Sequence, residues 1–187
     1  GGFAEQPNGE LYTRWIQLGI FHPFCRTHSS GDHGDQEPYA FDSNVTDIVR
    51  KFIEIRYQLL PYLYTAFWRY ANEGVPILKS LVLFDQDDTS TYNRNDEFIF
   101  GEKILVCPIL ESNSKGRRMY IPMGKWYNFW TDEIVTGGLE KWVDADIDSI
   151  PIFIKEGAII PKYPIQQYVG EIEIDQVTLD VYFKLGK

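Results

Sequence analysis

The sequence has little of several features, and each shortage excludes a class of protein. It has only two cysteines in 187 residues, Cys25 and Cys107, which is too few for a disulfide framework. Both lie in apolar, strand-like segments, so we expect buried free thiols. No apolar run reaches membrane-spanning length. The first residue is a glycine without a signal-peptide pattern, so the sequence indicates no cellular compartment.

Positive charge is also scarce. The 18 Lys and Arg residues are outnumbered by 27 Asp and Glu, which leaves a net charge of −9. Phosphate binding rests on clustered basic side chains, so this balance argues against nucleic acid as a partner. It argues equally against an anionic membrane surface. No phosphate loop, dinucleotide fingerprint or zinc spacing occurs, so the sequence implies no cofactor and no metal.

Aromatic residues, in contrast, are abundant: 12 Tyr, 12 Phe and 5 Trp. Aromatic rings fill large cores, and their faces also pack on the C–H faces of sugar rings. We assign most of them to core packing. The hydrophobic fraction of 44% is that of an ordinary folded protein.

Residues 10–28 hold the most informative pattern. The apolar residues of the first half recur at the spacing of one helical face: Leu11, Trp15 and Leu18. Arg14 and Gln17 occupy the polar intervals, so the pattern predicts an amphipathic helix. Gly19 is the predicted end of that helix.

The second half of this stretch predicts an extended segment that resembles a binding site. Pro23 pushes the residue before it out of the helical region, so residues 24–28 are predicted to form a short strand or strand end. Side chains alternate along an extended chain, which places Phe24, Arg26 and His28 on one face. A cation and an imidazole beside aromatic rings are typical of a site. The alternative is that Arg26 pairs with an acid and His28 has a structural role.

Two loops carry acidic side chains: Asp32 and Asp35 with His33 in the first, and Asp85, Asp87 and Asp88 in the second. The spacing in the first loop matches no metal motif, so a solvated loop is the favoured interpretation. The second loop lacks the central glycine and the terminal glutamate of a calcium loop.

A long helical pattern covers residues 44–72. Its apolar positions recur at three- and four-residue steps: Ile48, Phe52, Ile55, Leu59, Leu63 and Phe67. Pro61 removes one backbone hydrogen bond inside this pattern and predicts a kink or a split. Asn44 or Thr46 is the predicted N-cap, and Gly74 is the predicted stop.

The periodicity changes from helical to two-residue near Leu81. A strand is predicted to begin at residues 75–78. Short strand-like runs then follow, separated by turns: residues 98–100, 104–110, 118–121, 125–130, 152–154 and 158–160. Such regular short runs indicate a β-sandwich. Alternating apolar residues over 171–183 predict a further pair of strands.

Several blocks of the sequence resemble glycoside hydrolase family 31, the α-glucosidase and α-xylosidase family. The first block contains Gly1-Gly2-Phe3, Arg14-Trp15, Pro23-Phe24, Arg26 and His28, and later blocks cover residues 56–65, 101–108, 120–127 and 150–161. They follow the family's order over most of the chain, which is far more specific than any single block. Two places depart from the family pattern: Ile20, where a small residue is usual, and the pair Lys79-Ser80, where Arg-Pro is usual.

The resemblance implies a fold of α/β plus all-β class. The C-terminal portion of a (β/α)₈ catalytic barrel would occupy residues 1–80, with the strand at 75–78 as its last. An antiparallel β-sandwich would occupy residues 81–165, and residues 166–187 would begin a further β domain. In such barrels the loops that follow the strands carry the active site, and residues 29–35 form one of these loops.

The resemblance also implies a function. Family members are retaining α-glycoside hydrolases that use two carboxylates to release terminal α-linked glucose or xylose from oligosaccharides. Both carboxylates are aspartates that lie upstream of the Gly-Gly-Phe motif in the family. We therefore expect no catalytic residue in this chain, and we expect the upstream part of the same enzyme as its partner.

The family's sugar-pocket positions match Phe3 and His28. A phenylalanine ring would exclude water and pack on the sugar, while a histidine nitrogen would contact a sugar hydroxyl. Arg26 is expected to hold a neighbouring carboxylate in place rather than to touch the sugar. His22, before Pro23, is expected to matter little to catalysis.

Two other functions are consistent with part of the pattern. A noncatalytic carbohydrate-binding or structural β-sandwich would explain the second half of the chain, but it has no need of residues 3–64, which are patterned as βα units. A family relative with α-glucan lyase or transglycosylase activity would share all of these motifs. Analysis of the reaction products separates it from a hydrolase.

Overall fold

The computed structural model describes residues 5–184, in which four helices and ten strands form. The helices are α1 (Gly9–Gly19), α2 (Ser43–Gln58), α3 (Leu60–Glu73) and α4 (Leu81–Phe84), with 3₁₀ turns at Pro38–Ala40 and Thr89–Thr91. The strands are β1 (Leu78–Ser80), β2 (Phe98–Phe100), β3 (Ile104–Val106), β4 (Gly116–Ile121), β5 (Lys125–Asn128), β6 (Ile134–Thr136), β7 (Leu139–Asp144), β8 (Ile152–Lys155), β9 (Ile159–Lys162) and β10 (Thr178–Val181). None of the helices in this part of the chain has the length and apolar character needed to cross a membrane.

The strands form one large sheet and two ribbons. The large sheet has the order β1-β2-β3-β8-β5-β6, and all its neighbouring strands are antiparallel. The ribbons pair β4 with β7 and β9 with β10, again antiparallel. Residues 81–165 contain no helix longer than the four residues of α4, as the change of periodicity near Leu81 predicted.

The large sheet is a middle layer because its side chains alternate between two cores. One face carries Ile99, Leu105, Trp126 and Phe153, which pack with Met119 and Ile121 of β4. The other face carries Phe100, Ile104, Val106, Ile152 and Ile154, which pack with buried residues of α1, α2 and α3. The first core therefore lies between the sheet and the β4–β7 ribbon, and the second lies between the sheet and the helices.

Helix α1 forms where the spacing predicted it, with Asn8 as its N-cap: the Asn8 side chain accepts a hydrogen bond of 2.8 Å from the Leu11 amide. The buried face is not the one that the apolar spacing marks. Leu11 and Trp15 are 54% and 49% exposed, whereas Arg14 and Gln17 are 8% and 0% exposed. The apolar spacing thus predicted the helix correctly and its buried face wrongly.

A loop that lies far away in the sequence explains this burial. Arg14 Nη1 donates to the carbonyl oxygens of Asp146 at 3.1 Å and Ser149 at 2.7 Å, and Gln17 Nε2 donates to that of Ile147 at 2.6 Å. Buried polar groups are tolerated when they are hydrogen-bonded, and these carbonyls supply the hydrogen bonds for both polar side chains.

The long helical pattern is split into α2 and α3, as Pro61 predicted. The break lies at Leu59, and Pro61 falls in the first turn of α3, where its missing N–H has little effect. The predicted N-cap of α2 was wrong. Asp42 caps the helix by accepting a hydrogen bond of 2.8 Å from the Val45 amide. At the other end Gly74 adopts φ 71°, the left-handed conformation that commonly ends helices.

Several strand predictions need correction. The strand predicted from residue 75 begins only at Leu78 and pairs antiparallel with β2 at the edge of the large sheet; its place as the last barrel strand stays a prediction. The strand predicted over 104–110 ends at Val106, shortly before Pro108, which cannot donate to a ladder. Residues 171–183 form one strand, β10, instead of two. Strand β7 was missed because most of its side chains are exposed and show no apolar alternation.

Candidate functional site

Residues 24–28, which follow α1, alternate in exposure as an extended chain does, and we call them the extended segment; they do not form a strand. Residues 25–30 have no assigned secondary structure, so the strand predicted over 24–28 is absent. Strands require a hydrogen-bonded neighbour, and within the described residues no backbone–backbone bond joins residues 24–27 to another segment. The predicted alternation is present: Phe24, Arg26 and His28 are exposed, while Cys25 and Thr27 are half-buried.

These side chains border a cavity of about 340 Å³ between α1 and the extended segment. Its lining is Trp15, Ile16, Leu18, Gly19, His22, Phe24, Cys25, Arg26 and His28. Most of these residues are apolar or aromatic, and the polar groups are concentrated at Arg26 and the two histidines. A mainly apolar lining with a few polar groups is the usual composition of a small-ligand site.

The two histidines of the cavity have different surroundings. His28 is exposed at the end of the extended segment. His22 is half-buried, its Nδ1 lies 3.1 Å from the Leu18 carbonyl oxygen, and its ring packs 5.5 Å from the Phe98 ring. A carbonyl oxygen only accepts, so His22 Nδ1 carries the proton and donates it. His22 is therefore engaged by the end of α1 and by the sheet.

Arg26 contacts an aromatic ring. Its guanidinium carbon lies 5.7 Å from the centroid of the Phe24 ring, a cation–π geometry that requires both side chains on one face, as predicted. Arg26 forms no ion pair with any residue in the range 5–184. The predicted role of Arg26 in holding a carboxylate therefore stays a prediction. Phe3, the other predicted sugar-pocket residue, lies outside the described residues.

Cys25 adds a neutral surface to the cavity. It is a free, half-buried thiol, whereas Cys107 is free and fully buried, so the prediction of burial holds for Cys107 only. Burial raises the pKa of the Cys25 thiol, although the charge of Arg56 acts in the opposite direction. A Cβ atom at Gly19 would lie 3.2 Å from Cys25 Sγ, so α1 and the extended segment are in close contact at this point.

Arg56 on α2 is the residue that sequence reasoning missed. It reaches the turn between α1 and the extended segment, and burial lowers the pKa of its guanidinium. Its mark in the sequence is its place at the start of the family block at residues 56–65. Residues 5–184 contain no cluster of three or more His, Cys, Asp or Glu side chains that could hold a metal ion.

Two models of one enzyme family match the chain in succession. The family 31 glycosyl hydrolase TIM-barrel domain matches residues 1–66, and the family 31 C-terminal domain matches residues 74–160. The junction between the two matches lies at the end of α3, where the helices give way to the antiparallel sheet.

Individual proteins agree with this match. Alpha-glucosidase 2 of Bacillus thermoamyloliquefaciens is 42% identical over 160 residues, which is 86% of this chain and 20% of the relative. A 1,6-alpha-glucosyltransferase of Sporosarcina globispora is 33% identical over 192 residues, covering 97% of this chain and 15% of the relative. A GH31 dextranase of Flavobacterium johnsoniae, solved with glucose, has a TM-score of 0.90 and 37% identity, covering 96% of this chain and 22% of that one.

The chain thus spans about a fifth of the length of the relatives that it matches. The two family models together cover most of its residues, and they occur in the order that the sequence blocks predicted. The chain belongs to glycoside hydrolase family 31.

Proposed function

We propose that this chain is the C-terminal portion of a retaining α-glycoside hydrolase that removes terminal α-linked glucose or xylose from oligosaccharides. The observation that carries the proposal is the arrangement of residues 24–28. Phe24, Arg26 and His28 are presented on one side of an extended segment in a chain whose family acts on α-glycosides. The proposed partners are the oligosaccharide substrate and the upstream part of the same enzyme.

The chemistry is divided between the two parts of the enzyme. Retaining glycosidases need a nucleophile and an acid that later acts as a base, both carboxylates. We assign both to the upstream part, and we assign binding of the sugar to Phe3 and His28 of this chain. No metal or cofactor takes part in this division, because paired carboxylates are sufficient for the reaction.

Arg26 is proposed to position one of the upstream carboxylates. Its guanidinium is exposed, lies near the Phe24 ring and forms no ion pair within residues 5–184, so a carboxylate partner would come from outside these residues. A fixed guanidinium binds a carboxylate through two parallel hydrogen bonds, which sets both its distance and its orientation.

The proposed architecture has three parts: a barrel portion at residues 1–80, a β-sandwich at 81–165 and the start of a further β domain at 166–187. The two-core arrangement of the large sheet and the β4–β7 ribbon supports the sandwich. The antiparallel pairing of β1 argues for moving the first boundary toward the end of α3.

Transglycosylation is the second candidate, because a relative over 97% of this chain is a glucosyltransferase. Both reactions begin with the same glycosyl-enzyme intermediate and differ in whether water or a sugar hydroxyl resolves it. Product analysis at high substrate concentration separates them, since only transglycosylation yields longer oligosaccharides.

The proposal is tested at His28. In the complete enzyme, His28→Ala should lower kcat/KM for an aryl α-glucoside by about ten- to a thousand-fold, or about 1.4–4 kcal/mol of transition-state stabilisation. The physical reason is the loss of a hydrogen bond to the sugar that strengthens as positive charge develops in the ring. Folding should change little, because His28 is exposed.

His22→Ala is the matched control, because the same cavity is lined by His22, whose ring is held by the Leu18 carbonyl and Phe98. It should leave kcat/KM near the wild-type value. Near wild-type kcat/KM in His28→Ala, or a loss explained wholly by unfolding, would refute the assignment of His28 to the sugar site.

A further inference from the structure

We propose that Arg56 positions the sugar-binding segment by clamping the turn that precedes it. The guanidinium reaches from the last turn of α2 and donates three hydrogen bonds to main-chain oxygens: from Nη1 to Ile20 at 2.6 Å and His22 at 2.8 Å, and from Nη2 to Pro23 at 3.2 Å. The proposal rests on the proposed function of His28.

The partners of Arg56 are main-chain groups and not an acidic side chain. Within residues 5–184 its guanidinium pairs with no carboxylate, and the groups that it binds are main-chain carbonyls. A half-buried charge without a counter-charge is costly to desolvate, so these bonds must replace much of its hydration. One planar group that binds three carbonyls holds the turn in a single shape.

The turn is a suitable place for an anchor because residues 24–27, which follow it, form no backbone–backbone hydrogen bond with another described residue. The turn itself contains one such bond, from the His22 amide to the Gly19 carbonyl at 3.0 Å. The bond from Arg56 to the Pro23 carbonyl is therefore the last of these anchors before Phe24, Arg26 and His28.

Helix α2 is a firm support for the clamp. Phe52 and Ile55, one turn or less before Arg56, are 0% and 9% exposed in the core that α2 shares with the large sheet. Arg56 thus connects the extended segment to the core between the helices and the large sheet. Small displacements of a binding group reduce catalysis strongly, so the clamp should act on activity through His28.

Arg14 provides a matched comparison within the same chain. It also binds main-chain carbonyls, those of Asp146 and Ser149, but it faces the 145–149 loop and does not line the cavity of His28. Loss of this second clamp should affect stability without affecting the position of His28.

The test is a double-mutant cycle in the complete enzyme with an aryl α-glucoside as the substrate. Arg56→Lys keeps the charge but cannot span three carbonyls, and it should lower kcat/KM about tenfold in the wild-type background. In the His28→Ala background the same change should cost less than about twofold, since the group that it positions is gone. Arg14→Lys should leave kcat/KM near wild type in both backgrounds.

Hydrogen exchange supplies the second measurement. Arg56→Lys should speed amide exchange at residues 21–28, and Arg14→Lys should speed it at residues 145–150. Equal losses of kcat/KM in both backgrounds, no loss in either, or loss of protection throughout the protein would overturn the proposal. Failure of the proposed function gives a different result: the His28→Ala single variant would then keep near wild-type kcat/KM.

Discussion

At the scale of single residues, the Tyr62 hydroxyl joins the helices to the sheet. It donates to the Phe100 carbonyl at 3.0 Å and accepts from the amides of Glu102 and Lys103, both at 3.1 Å. Burial raises the pKa of Tyr62 above its ordinary range, so the hydroxyl remains a neutral donor. One side chain of α3 thereby satisfies the tight turn between β2 and β3, where Gly101 adopts φ 62°.

Tyr62→Phe should therefore destabilise this turn locally by about 1–3 kcal/mol, because two amides and a carbonyl lose a buried partner. Amide exchange at residues 100–104 of the complete enzyme should become faster. Tyr64→Phe, two residues further on and 76% exposed, should not change it. Equal exchange rates in the two variants would show that the hydroxyl network contributes nothing.

At the scale of elements, one apolar pattern forms two helices with different neighbours. Helix α2 contacts α1, while α3 contacts β9. The separation depends on the break at Leu59, which is 2% exposed and anchors the corner in the core. Helix α2 also depends on its start, because the side chain of Asp42 binds an amide that the helix itself leaves without a partner.

Asp42→Ala should cost about 1 kcal/mol of α2 stability, because the N-cap hydrogen bond to the Val45 amide is lost. Faster amide exchange in the first turn of α2, measured in the complete enzyme, is the expected result. Asn44→Ala removes an exposed side chain inside the helix and serves as the control. A larger effect of Asn44→Ala than of Asp42→Ala would show that Asn44, and not Asp42, caps the helix.

At the scale of the whole molecule, the described structure leaves large apolar side chains uncovered. Trp15, Phe24 and Trp68 are 49%, 74% and 55% exposed, and all three belong to the part of the sequence that holds α1, α2 and α3. Exposed apolar groups of this size are usual at surfaces that another part of a protein covers. The chain also spans only about a fifth of its relatives.

Residues 1–187 expressed alone should be inactive and should either aggregate or require the upstream barrel. Residues 5–77 contribute helices but no strand, and large apolar side chains among them remain exposed, so the chain alone presents a sticky surface. Gel filtration and an assay with an aryl α-glucoside test both statements, with the complete enzyme as the positive control. Measurable hydrolysis by the pure, contaminant-free chain would contradict the prediction of inactivity.

The sequence by itself determined the three long helices, the change to short strands, the order of the motifs and the family. Helices α1 to α3 and most strands that line the two cores follow from apolar periodicity, which marks the type of element even where, as in α1, it marks the wrong face. Pro61 and Gly74 determined where a helix splits and where one ends, because their backbone preferences are local. The shared face of Phe24, Arg26 and His28 was predictable for the same reason.

Only the tertiary structure decided which face of α1 is buried, how β1 pairs and what anchors the turn before the extended segment. Arg14 is buried because it donates to the carbonyl of Asp146, and this partner lies 132 residues further along the chain. Arg56 clamps carbonyls of Ile20 and His22, 36 and 34 residues before it. Main-chain carbonyls are present at every residue, so no sequence pattern marks the ones that an arginine will reach. Their positions depend on the packing of the whole chain.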